Sequence, residues 1–128
     1  MINFTVVSED VSANKTLIVA VLGETRRLLQ EKGWNRFSMA RGADGKAVSP
    51  NSSAASCYCL SGALAKAWRT IDPENEDFYF QYFERKFSDA LRNVYGYDGA
   101  VTRWNDEIAT RQKDVVTLIE SVIKSIQQ

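Results

Sequence analysis

No histidine occurs anywhere in this sequence. That absence excludes Ser-His-Asp and Cys-His catalysis and every zinc site with an imidazole ligand. Glycine and proline are scarce, at seven and two residues in 128, well under the roughly 12% of average usage. Little turn chemistry is left for a many-stranded sheet, so composition favours helices. Excess charge of either sign is missing too, because sixteen Lys and Arg balance sixteen Asp and Glu. The chain therefore lacks the electrostatic footprint of a general nucleic-acid or anionic-membrane binder. With only two thiols, Cys57 and Cys59, a four-ligand metal site would need carboxylates or a second chain, so neither metal nor cofactor is expected. The N-terminal Ile2, Phe4, Val6 and Val7 have no basic residues before them and meet Glu9-Asp10 early. Neither a signal peptide nor a transmembrane span is readable there, and a cytoplasmic location without a membrane partner is expected.

Apolar side chains make up 45% of the sequence, enough for a core without staples in one domain spanning residues 1–128. The expected fold is mainly α, a bundle of four principal helices with one short β-hairpin or structured loop. Residues 2–7 alternate as a short strand or extended arm. Ser12-Ala13-Asn14 offers N-cap chemistry for a first helix that runs to about Lys32, with Gly33 as its terminator. Phe37 to Val48 alternates around Gly42-Ala43-Asp44-Gly45, which reads as the hairpin. Asn51-Ser52-Ser53 offers cap chemistry for a second helix, about 53–70, whose stripe is Cys57, Leu60, Leu64, Ala67 and Trp68. In such a helix Cys57 and Cys59 point about 200° apart around the axis and cannot bridge. Gly62 lets another backbone approach closely. Pro73 opens a third helix to Tyr95, with Phe80, Phe83, Phe87, Leu91 and Val94 buried and Gly96 ending it. A final helix spans about 110–126. The tryptophans at 34, 68 and 104 are spaced like tetratricopeptide repeats, but the residues that should follow each of them do not match.

Trp104-Asn105-Asp106 is the most informative local feature. As a recognition cluster it would offer an indole for stacking, Asn and Asp donors and acceptors, and Arg111 as an anion fork. As a structural one, Asn105 and Asp106 would satisfy backbone groups while Trp104 fills the core, which is the favoured reading. Cys59 without a histidine base reads as a packed hydrophobe before a nucleophile. The Arg41–Lys46 loop with the Asn51–Ser53 cap resembles an anion site, though turn chemistry explains it, and no Gly-Lys-Ser/Thr ending follows. Asp72, Glu74, Glu76 and Asp77 suit a helix N-terminus. Six rings between residues 78 and 87 exceed what one face buries, which leaves Tyr79 and Tyr82 for a protein partner or a second copy.

Taken in order, Gly33-Trp34, the Ala40–Pro50 loop with Asp44-Gly45, Cys59-Leu60-Ser61-Gly62-Ala63-Leu64, and Trp104-Asn105-Asp106 followed by Arg111 resemble a small family of bacterial and phage proteins of unknown function. The likeness spans about residues 12–126. This chain departs from it at Gln112, where the family tends to have Thr, and in the aromatic richness of residues 73–95. The resemblance implies an architecture and no activity. The leading expectation is therefore a non-enzymatic binding protein, an accessory of a phage or mobile element acting on a host protein. The alternative is a small-molecule or nucleotide pocket lined by Trp34, Arg41, Trp104, Asn105, Asp106 and Arg111.

Overall fold

Apolar residues recur at helical spacing through Ile18, Val21, Leu22, Leu28 and Leu29, and all five are buried on the first helix. A computed structural model describes residues 15–75 and 80–128. The expected strand at 2–7, the cap at Ser12-Ala13-Asn14, and Glu76, Asp77, Phe78 and Tyr79 lie outside the described residues. The order is α1 (Lys15–Glu31), β1 (Ala40–Gly42), β2 (Ala47–Val48), β3 (Ala55–Tyr58), α2 (Leu60–Ile71) and a 3₁₀ turn (Pro73–Asn75). Then follow α3 (Phe80–Tyr95), α4 (Val101–Arg103), a π-helical turn (Trp104–Ile108) and α5 (Gln112–Gln127). The protein is thus mainly helical, with five α-helical segments among the described residues rather than four and a three-stranded antiparallel sheet rather than a lone hairpin.

Gly33 terminates α1 at φ +130°, a conformation open to glycine because it has no Cβ. α1 packs against α2 and α5, and α3 packs on α5. The amide of Gln112 donates to the Leu29 carbonyl, tying the start of α5 to the end of α1. Inside α1, the one buried hydroxyl, Thr25, donates back to Val21 O at 2.8 Å, so it carries no unmet polarity into the core.

The hairpin forms between β1 and β2, with Ala40 opposite Val48 and Arg41 opposite Ala47. The expected second helix is corrected at its start. Residues 55–58 are a strand on the far side of β1, pairing Tyr58 with Ala40 and Cys57 with Arg41. Tyr58 also bonds backbone to backbone with Gly33 and Asn35, so the pull of two neighbouring segments outweighs the helical spacing of Cys57. Asn51–Ser53 is used in tight turns instead, with Ala54 N donating to Ser52 Oγ at 3.0 Å. The helix starts at Leu60, about two turns later than expected, with Cys59 as its N-cap.

Gly62 is where β1 and α2 meet. A Cβ placed there would sit 1.8 Å from the Met39 carbonyl oxygen, so only glycine permits this approach. On α3, Phe83, Phe87 and Leu91 are buried, and Trp68 meets Phe83 edge-on at 5.1 Å. Two expected core positions are corrected. Phe80 is 58% and Val94 50% exposed; they lie at the two ends of α3, while the buried positions Phe83, Phe87 and Leu91 lie in its middle. Gly96, at φ +65°, ends the helix as expected.

Candidate functional site

The π-helical turn results from a widened bond, Ala109 N to Trp104 O at 2.8 Å, which skips one residue relative to an α-helix. Such insertions rotate the side chains within them. Here Trp104 points into the core at 1% exposure and Asn105 is 2% exposed. Trp104 stacks at a tilt on Tyr95, ring centroids 5.3 Å apart.

Asn105 joins three segments. Its Oδ1 accepts from the Trp34 indole N–H at 2.8 Å and from the first amide of α2, Leu60 N, at 3.1 Å. Its Nδ2 donates to Asp106 Oδ1 at 2.9 Å and to Asn35 O at 3.4 Å. Every donor and acceptor direction of this buried amide is therefore used. Asp106 Oδ1 also accepts from Phe37 N at 2.9 Å. Phe37 has φ +64°, a left-handed conformation that costs a bulky residue on the order of 1–2 kcal/mol. The strained turn is held from several sides, by Asn35 Nδ2 to Ser38 O at 2.8 Å and by the Arg41 guanidinium to Arg36 O at 3.1 Å. It displays the Phe37 ring to solvent at 68% exposure.

Below this turn is a half-open cleft of about 190 Å³ lined by Ser38, Met39, Cys59, Ser61, Thr102, Asn105 and Asp106. A narrower apolar groove continues from it past Ser61 and Thr102, walled by Leu60, Leu64, Phe80, Glu84, Phe87 and Val101. Cys59 is 6% exposed and its sulfur accepts from Gly62 N at 3.3 Å. Burial pushes the thiol pKa up, and the Asp106 carboxylate adds to the rise, against the lowering effect of the Gly62 and Ser61 amides. The sulfur is therefore a protonated cap at neutral pH rather than a thiolate nucleophile. Leu60 N and Gly62 N, two of the amides at the helix start, are already engaged by Asn105 and Cys59.

Of the residues singled out from the sequence, Asn105 and Asp106 line the cleft, and Trp34 orients Asn105 from behind. Trp104 faces the core. Arg41 braces the turn and donates to Gly45 O at 3.0 Å. Arg111 sits at the start of α5, 3.3 Å from Asp114, and is not on the cleft. Tyr82 is half-buried, with Phe83 at 5.7 Å and the Lys86 ammonium at 5.6 Å from its ring. Ser38, Met39, Ser61 and Thr102 were not anticipated; as small or flexible residues in three separate segments, they carry no sequence signal. Among the described residues no cluster of His, Cys, Asp and Glu is arranged to hold a metal, and no helix is long and apolar enough to cross a membrane.

Compared with known proteins, residues 13–125 match the model of a family of unknown function, DUF6197. No curated protein and no solved structure matches the chain.

Proposed function

We propose, for a chain that belongs to the DUF6197 family of unknown function, a non-enzymatic role: it binds a protein partner, and the cleft beside Asp106 receives a side chain of that partner. The observation that carries this reading is the pairing of a small cleft that holds the Asp106 carboxylate with exposed apolar side chains beside it. At about 190 Å³ the cleft is below the roughly 300–1,000 Å³ that encloses a drug-sized ligand, but it suits one protruding side chain. Met39 on the cleft, Phe37 on the turn whose amide Asp106 accepts, and Phe80 along the adjoining groove are large, apolar and exposed, as an interface around an inserted anchor requires. Binding rather than chemistry is favoured by the protonated, capping state of Cys59 and by the full hydrogen-bonding of Asn105. The setting expected from the family resemblance, a phage or mobile-element accessory protein acting on a host protein in the cytoplasm, is compatible with this reading and belongs to the proposal.

The test is a photo-crosslinking residue placed at position 37 in cells, with the same residue at exposed Lys113 on α5 as control. The expected result is one discrete adduct from position 37 that disappears when Thr102→Arg fills the cleft. Identical adducts from positions 37 and 113, or an adduct indifferent to Thr102→Arg, would overturn the proposal.

A further inference from the structure

Resting on that reading, we infer that the side chain received by the cleft is a lysine, its ammonium held by Asp106 and its methylenes lying along the apolar groove. Charge is the first argument. The cleft and groove together are lined by two carboxylates, Asp106 and Glu84, and by no lysine or arginine. Neither carboxylate makes an ion pair among the described residues. An anionic guest would meet these charges at a helix start where Leu60 N and Gly62 N are already bonded.

Geometry then separates the two basic side chains. Asp106 Oδ1 is occupied by Phe37 N and Asn105 Nδ2, at 2.9 Å each. Only Oδ2 is left without a hydrogen bond among the described residues. A guanidinium gains most when both carboxylate oxygens accept its fork, whereas an ammonium is a point charge satisfied by one carboxylate oxygen and neighbouring hydroxyls. Ser38, Ser61 and Thr102, all hydroxyl-bearing, line the same cleft, and the Ser38 hydroxyl donates to Ala40 O at 2.9 Å, which leaves its oxygen to accept. A lysine stem is apolar up to its head, and Leu60, Leu64, Phe87 and Val101 wall the groove that opens beside those hydroxyls.

The experiment is an amide-shift NMR titration of the full chain with N-acetyl-lysine-N-methylamide, its norleucine, arginine and glutamate counterparts, and n-butylamine. The lysine compound is expected to move the signals of Cys59, Ser61, Thr102 and Asp106 and to bind at least tenfold more tightly than the norleucine, arginine or glutamate compound. Asp106→Asn, which keeps the Oδ1 acceptor, should weaken lysine binding at least tenfold. Thr102→Arg, at an exposed position, should abolish it even if the first variant folds poorly. Equal binding of norleucine or arginine, no cleft shifts with lysine, or undiminished binding in Asp106→Asn or Thr102→Arg would overturn the lysine assignment. Tighter binding of n-butylamine than of the lysine compound would also overturn it, in favour of a free amine. In each of those cases a Thr102-dependent adduct from position 37 would still uphold the protein-binding reading, so the two failures are distinguishable.

Discussion

A single amide shows how this fold treats polarity. Asn105 is buried, yet it costs little because both of its heteroatoms are bonded, and two of its partners, Trp34 Nε1 and Leu60 N, bond to no other acceptor among the described residues. Removing one side of a buried hydrogen bond leaves the other side's desolvation uncompensated, at about 1–3 kcal/mol. Asn105→Ala is therefore expected to lower stability by about 1–3 kcal/mol, read as a fall in the urea midpoint at unchanged slope. Its indole signal at Trp34 should shift as well. A variant as stable as the parent would mean that water replaces the amide and that the three segments meet without it. The same logic explains why Cys59 tolerates burial: its sulfur is useful as a neutral cap. Because the folded state holds this proton more tightly than the unfolded chain, the stability so gained is present at neutral pH and lost as pH rises above the ordinary thiol range.

At the scale of elements, α5 is fixed at its start by Asp114. Its carboxylate accepts from Thr110 N at 3.0 Å and Arg111 N at 3.1 Å. The Thr110 amide, then the Arg111 amide, the Thr110 hydroxyl and the Arg111 guanidinium hold its pKa below the usual carboxylate value, against a smaller opposing effect of burial. A depressed folded pKa means stability that is present above the unfolded value, about 3.9, and lost as pH falls through the folded one. Asp114→Ala should cost about 1 kcal/mol at pH 7, and urea titrations at pH 7 and pH 3 should show the gap from the parent narrowing in acid. A gap that stays constant would assign the loss to something other than the carboxylate. α5 and α1 were legible in the sequence because each is a long amphipathic run whose buried face follows one period. The β3–α2 boundary was not. Cys57 falls on the helical stripe by spacing, but its backbone is claimed by β1, a pairing between residues 16 apart that no local pattern encodes. The cap is a thiol, while the Asn and Ser residues that advertise a cap are spent on turns. For the site, Trp104-Asn105-Asp106 stood out as a motif, but its geometry rests on contacts across about 70 positions, such as Trp34 to Asn105. Its neighbours Ser38, Ser61 and Thr102 became visible only once those contacts brought the segments together.

Across the whole molecule, the features that lower stability gather on one side. The left-handed Phe37, its exposed ring, exposed Met39 and the half-open cleft all adjoin the π-helical turn, whereas α1, α2 and α5 pack a continuous apolar core behind them. Backbone strain persists only where the surrounding structure over-determines it, and it clusters at functional sites, so relieving it tests whether stability and function separate here. Phe37→Asn is the sharpest such change. Asparagine tolerates the left-handed conformation, retains the backbone N–H that Asp106 accepts, and gives up a ring that is already two-thirds exposed. The variant should therefore be more stable than the parent, by up to about 1 kcal/mol, seen as a higher urea midpoint. It should also lose the partner that the position-37 crosslink would identify, measured by titrating that partner against both forms. A variant that is less stable would show that the ring packs usefully in solution. One that gains stability and still binds the partner with parental affinity would remove Phe37 from the interface and leave the cleft alone to account for recognition.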